Sequence, residues 1–193
     1  MVGDKDRSRP ILSFRDVMAI ETLRVVPHDP SWRIAFEAEA RLVADVMQGN
    51  LVAIHHIGST SIPNIYAKPV IDMLVEVKEI AWVELHTSGM ESLGYEVMGE
   101  FGIPGRRYFR KDDQHRIRTH QIHVFAHGSS EAERHLAFRD YMIAHPKDAH
   151  LYSELKRRLA AEYPNDPDGY MDGKDGFIKD IDRKAAVWRA SKP

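Results

Sequence analysis

The chain has 193 residues, 43% of them hydrophobic and 29% charged, with a net charge of -2. This length suits one large domain better than two, because each half would hold a marginal core, and the composition is globular rather than disordered. The absence of cysteine excludes disulfides, thiolate zinc sites and a thiol nucleophile, and the near-zero charge excludes a global field drawing the chain to nucleic acid or anionic lipid.

The mixed-charge start, Met1 to Arg7, has no apolar run behind it and is not read as a signal peptide. No stretch approaches the roughly 18 apolar residues of a membrane span. A cytoplasmic protein without a membrane partner is therefore expected. Residues 1–19 read as a loose arm or short helix, with Ser13 and Asp16 spaced as a capping box. Ile20 to Val26 is rich in β-branched residues and predicts a first strand. Asp29-Pro30 then opens a helix that carries Trp32, Phe36, Val43 and Met47 along one face and stops at Gly49-Asn50.

Leu51 to Ile57 predicts a short strand, followed by a polar turn from Gly58 to Ala67 with a short helix starting near Ser61. Pro69 to Val77 is almost continuously apolar, as suits a central strand covered on both faces. A helix from Ile80 to Leu93 ends at Gly94, and strands follow near Tyr95–Gly99, Arg107–Lys111 and His120–Ala126. The last third is helical. Ser130 with Glu133 is spaced as a capping box, and Pro146 breaks one helix and opens the next. Leu151, Leu155 and Leu159 repeat every four residues along that second helix, which Pro164 ends, and a last helix carries Phe177, Ile181, Ala185 and Trp188 on one stripe. This order predicts an α+β domain over residues 20–193: a mixed β-sheet flanked by helices, with a helical C-terminal third.

Chemistry concentrates in two places. Gly58-Ser59-Thr60-Ser61 places three hydroxyls behind a glycine that permits a tight turn. Such a turn can cradle phosphate; it can equally be a Ser/Thr turn capping a short helix. Asp72 interrupts the central strand, and a carboxylate there is costly unless paired, metal-bound or solvent-lined. An acid on a strand beside a hydroxyl-rich turn suits metal-assisted phosphoryl or nucleotidyl transfer; pairing with Lys68 or an arginine is the alternative.

The segments His56-Ile57-Gly58-Ser59-Thr60-Ser61-Ile62-Pro63 and Ala67-Lys68-Pro69-Val70-Ile71-Asp72 resemble the signature of the GrpB family. The likeness continues through Gly105 to Phe109, Arg118 to Val124, Phe138 to Tyr141, Tyr152 with Leu155-Lys156, and Tyr170 with Lys174. It implies a nucleotidyltransferase-like fold, with Gly58, Ser59 and Thr60 holding the phosphates of a nucleoside triphosphate and Asp72 as the catalytic metal ligand. The usual second acid of that strand is replaced by Leu74, so Glu76 and His123 are the remaining candidate ligands beside Asp72 for Mg²⁺ or Mn²⁺, with Zn²⁺ as the alternative. Arg107 and Lys174 are candidate phosphate contacts, Lys174 just ahead of the last helix. For His56 and His123 a structural hydrogen bond is the competing role.

The expected function is thus transfer of a nucleotidyl group from a nucleotide to an unnamed acceptor. The competing reading is a non-catalytic nucleotide-binding or accessory module with a degenerate metal site. Nucleic acid is disfavoured as a partner, because few aromatics interleave the Arg106–Lys111 cluster. Self-association into a homo-oligomer is left open.

Overall fold

The structure, a computed structural model, describes residues 24–192. The arm over residues 1–19, its Ser13–Asp16 cap and most of the strand expected from Ile20 lie outside these residues. At the end of that stretch, Val26 makes a single antiparallel bridge to Ala67.

The apolar run behind Pro69 becomes β2 (Ile71–Val77), and its composition explains its place. An unbroken apolar strand is stable only when both faces are covered. It pairs antiparallel with β1 (Leu51–Ile57) and parallel with β5 (Arg118–Ala126). Beyond β5 lie β4 (Arg107–Asp112) and the two-residue β3 (Glu96–Val97), giving the order β1-β2-β5-β4-β3. The sheet is mixed, and the domain is α+β.

Strand alternation divides the sheet chemically. One face presents Met73, Val75, Val77, Phe109, Ile122 and Val124. It is covered by Trp32, Val43 and Met47 of α1 (Ser31–Met47) and by Met90 of α2 (Thr87–Ser92). The other face presents Ile57, Leu74 and Phe125 to Ala132 and Leu136 of α3 (Ser130–Ala144). There α3 packs with α4 (Pro146–Glu162) and α5 (Pro167–Ala190) around Tyr141, Met142, Ala149, Tyr152 and Ile181, which Ile62 and Ile65 join from the turn after β1. Asp72 is on this second, helix-covered face, in register with Ile57 and Gln121.

Several local expectations change. The helix expected over Ile80 to Leu93 splits into a 3₁₀ segment, Ile80–His86, and the short α2. Ser129, one residue before the expected cap, is the N-cap of α3, its side chain accepting from the Ala132 amide. No helix starts at Ser61; the hydroxyl run is a single 3₁₀ turn, Ser59–Ser61. In α4 the buried side is Ala149, Tyr152, Ser153, Lys156 and Leu159, while Leu151 is 58% exposed. Of the leucine repeat, Leu159 is therefore buried and Leu155 packs beside it, while Leu151 turns to solvent.

The first helix is tied to the sheet by a buried polar contact. Glu39 of α1 accepts hydrogen bonds from the Tyr95 hydroxyl at 2.9 Å and from Lys111 Nζ at 2.9 Å. Removing the acceptor would leave a buried hydroxyl and a half-buried ammonium unpaired. Glu39→Ala is expected to lower unfolding free energy by about 2–4 kcal/mol, measured as a reduced urea midpoint at unchanged slope.

Candidate functional site

The turn after β1 is shaped by Asp72. Gly58 adopts φ +67, a left-handed conformation suited to glycine, and a Cβ there would stand 2.2 Å from Asp72 Oδ2. The carboxylate is therefore seated against the backbone at the start of the Ser59–Ser61 turn. Two of the three hydroxyls are committed to the turn itself. Thr60 is buried, donates to the Val70 carbonyl at 3.1 Å and lies 2.9 Å from His56 Nε2. Ser61 donates to the Gly58 carbonyl at 2.7 Å. Ser59 lies instead beside the Tyr152 hydroxyl.

Helices α4 and α5 complete the site with cations. Lys174 lies within α5, not ahead of it, and half-buried over the Tyr170 ring, 4.8 Å from its centroid. Lys156 of α4 is 2% exposed, lies 4.4 Å from the Tyr152 centroid, and its Nζ has no hydrogen-bond partner. Tyr152 also stacks on Phe177, at 5.4 Å and 11°.

These groups act on one another through charge. Burial pushes the Asp72 carboxyl up to about 7, against the pull of Lys174, Lys68 and Lys156. Burial and the neighbouring Lys174 push the Lys156 ammonium down to about 7, with Asp72 opposing. Burial likewise pushes Lys174 down to about 8, again opposed by Asp72. One carboxylate thus faces three lysines, an imbalance that suits an incoming anion.

Four residues singled out from the sequence do not join this group. Arg107 projects to the face covered by α1 and α2, in register with Val124, and is ion-paired to Glu84 at 2.5 Å. Alternation with Phe109 put it on the apolar side, where it cannot reach phosphates beside Asp72. Glu76 shares Asp72's face but lies four residues along the strand, about 13 Å away. It accepts from the Gly128 amide and is held at 2.9 Å by both His55 Nε2 and His127 Nδ1. His123 is in register with Leu74 and bonded through Nδ1 to Arg106 at 3.3 Å, with the His135 ring 5.4 Å away. Burial, reinforced by His135 and Arg106, lowers it to about 3, so it is a neutral, structural imidazole at physiological pH. His56 points to the α1 face and stacks on Phe36 at 4.8 Å.

As a metal centre the site is sparse. Among the described residues, no group of three or more His, Cys, Asp or Glu could hold a metal ion. The donors present, the Asp72 carboxylate and the Ser59 hydroxyl, are hard oxygens. They fit a magnesium-like ion that keeps phosphate and water in its shell, and do not fit an imidazole-bound zinc. Three lysines also oppose a bare cation but not one arriving on phosphate.

The family model described as GrpB protein matches residues 22–184. The chain belongs to the GrpB family. The crystal structure of conserved protein GrpB from Enterococcus faecalis is 44% identical, with a TM-score of 0.81 over 86% of this chain and 99% of that one. UPF0157 protein YqkA of Bacillus subtilis is 42% identical over 88% of this chain, which spans about half (49%) of that protein's length. Glutamate-rich protein GrpB of Alkalihalophilus pseudofirmus is 33% identical over 81% of this chain and 92% of its own. Among the described residues, no helix is long and apolar enough to cross a membrane.

Lys156 and Tyr152 were missed as site residues in the sequence, although a signal was present. Ala149, Tyr152, Lys156 and Leu159 repeat at three, four and three residues, the spacing of a buried helical stripe. A lysine inside such a stripe is the helical counterpart of an aspartate inside an apolar strand.

Asp72 makes stability depend on pH in a specific direction. A carboxyl that is more basic folded than unfolded favours folding at pH below about 3.8, and that contribution is lost as pH rises through about 7. Asp72→Asn should therefore raise the Tm of the ligand-free protein at pH 8 by several degrees. The gain should shrink progressively between pH 7 and pH 4 in thermal melts.

Proposed function

We propose that this GrpB-family protein binds a nucleoside triphosphate, carrying a divalent ion, at Asp72 and transfers its nucleotidyl group to an acceptor. The observation that supports this most strongly is the lone, half-buried carboxylate on the central strand, seated against Gly58 and faced by lysines from α4, α5 and the preceding loop. Asp72 would hold the ion, of magnesium or manganese type, and Ser59 would supply a further oxygen. When bound, such an ion supplies Lewis-acid polarisation of the phosphate oxygens.

The chain's own residues account for the remainder. Lys174 neutralises phosphate charge, and the Gly58–Ser61 turn fixes the phosphates relative to Asp72. Thr60 acts through the turn, since its hydroxyl is held by Val70 and His56. Transfer joins an acceptor oxygen to the α-phosphorus, breaks the bond to the bridging oxygen and releases pyrophosphate, whose growing charge Lys174 offsets. The resemblance of the Gly58-Ser59 turn and the Asp72 strand to the nucleotidyltransferase pattern is consistent with this reading.

A second reading, a nucleotide-binding accessory module without transfer, is favoured by Leu74. Its fully buried side chain stands where a second carboxylate would lie, which leaves one protein carboxylate for chemistry that commonly uses two.

Thermal melts with ATP, GTP, CTP and UTP, each with Mg²⁺ or Mn²⁺, test the proposal. A ligand at one hundred times its Kd should stabilise the folded state by about 2.7 kcal/mol. Asp72→Asn should abolish the metal-dependent part of that shift, and Lys174→Met should weaken binding at least tenfold. If no nucleotide shifts the melt, the proposal fails. Binding without labelled pyrophosphate release against any acceptor pool selects the accessory reading.

A further inference from the structure

Lys156 faces Asp72 but is assigned no chemical task in the proposed function, although it is the most deeply buried lysine among the described residues. Its side chain is 2% exposed and its Nζ has no hydrogen-bond partner. An ammonium in this position loses its hydration, and the Tyr152 ring face 4.4 Å away compensates only in part. Ser153, the next residue on α4, is by contrast fully used, accepting a hydrogen bond from the Tyr66 amide at 2.8 Å. The unpartnered amine caps Tyr152, which packs with Ile62 of the turn seated against Asp72, and both Asp72 and Lys174 are within its electrostatic reach.

The aromatic rings around Asp72 bear on what could bind there. Tyr108, in register with His123, shares the sheet face of Asp72, and Tyr152 packs on that face with Ile62 of the turn. Tyr152 is stacked by Phe177 and capped by Lys156. Tyr108 is stacked by Phe101 at 5.3 Å and faced by the Arg106 guanidinium at 4.9 Å. Tyr170 lies under Lys174. These rings are engaged by the protein's own side chains, so none offers a free face for a purine or pyrimidine to stack on.

We propose that Lys156 and Lys174 form a polyphosphate-tail site beside Asp72 that recognises condensed phosphate irrespective of the base, Lys156 supplying the positive charge that a second carboxylate-bound metal would otherwise bring. This rests on the reading of the Asp72 site as a triphosphate site and deepens it. With Leu74 in place of a second acid, a triphosphate would bring about four negative charges to a site holding at most one ion. Two lysines on adjacent helices offset the remainder, and the phosphate oxygens give the Lys156 ammonium the hydrogen bonds it lacks.

Isothermal titration calorimetry with inorganic tripolyphosphate and with ATP, GTP, CTP and UTP, all with Mg²⁺, distinguishes the possibilities. The wild-type protein should bind all five within about threefold of one another. Lys156→Met and Lys156→Gln should each weaken all five by at least tenfold, roughly the loss of one charge-assisted hydrogen bond. Ligand-free melts of both variants should match or exceed the wild type, because an unpartnered buried amine has been removed. Should Lys156→Met fail to fold, the glutamine variant, close in size and uncharged, provides the same comparison. If the wild type binds none of the five ligands, the triphosphate reading itself is refuted. If it binds one nucleotide but not tripolyphosphate, or if both variants bind as the wild type does, that reading stands and the polyphosphate site is refuted; Lys156 is then a packing residue resting on Tyr152.

Discussion

The structure depends on keeping one carboxylate in the middle of an apolar sheet. Asp72 interrupts a strand whose neighbours are otherwise buried and apolar, and isolating such a charge from water costs several kcal/mol. Much around it follows from that cost. Gly58 is held in a conformation and at a distance that exclude any side chain, so that the carboxylate can lie against the turn. The turn buries Ile62 and Ile65 among α3, α4 and α5, which brings the lysines of α4 and α5 to the acid. A single unfavourable burial thus links the central strand, the turn and the C-terminal helices.

The architecture was legible because its signals are local and strong. The apolar run at Ile71–Val77, the helix behind Asp29-Pro30 and the proline breaks at Pro146 and Pro164 each mark one element with little ambiguity. Weaker segments were misread where two local preferences compete. Ile80–His86 has the composition of an α-helix but winds as 3₁₀ and meets α2 only afterwards. The α4 leucines mark a stripe at a constant spacing of four, which drifts around a helix of 3.6 residues per turn. The buried side follows Ala149, Tyr152, Lys156 and Leu159, so the leucines meet it at Leu159 and leave it at Leu151.

The site was only half legible, for a reason of distance. Residues close in sequence to the signature, Gly58, Ser59 and Asp72, could be associated because a turn and a strand bring them together directly. Lys156 and Lys174 reach the same place through helix packing, which no local pattern states; Lys174 was singled out through the family likeness alone, and Lys156 was missed. Arg107 shows the converse error. Strand alternation gives it the face of Phe109, but one sequence cannot tell which face of a sheet carries the chemistry, and Phe109 belongs to the core under α1. Glu76 failed for a third reason. It shares Asp72's face, but the geometry of an extended strand carries it beyond the reach of a common ion, to His55 and His127.

The ligand-free site is therefore frustrated in one direction. Asp72 is held more basic than a free carboxyl, while Lys156 and Lys174 are held less basic than free amines, so each group is poorly satisfied by the protein alone. A well-paired cluster would show the opposite pattern, the acid lowered and the lysines raised, as Glu96 and Arg110 do on the sheet edge. Where opposite charges approach without satisfying one another, the fold retains a free-energy cost that a suitably charged ligand can relieve. On the proposed reading, an anion bearing a divalent ion would meet both needs at once, the ion at the carboxylate and the anion at the lysines. Neither a metal alone nor a neutral molecule would relieve both.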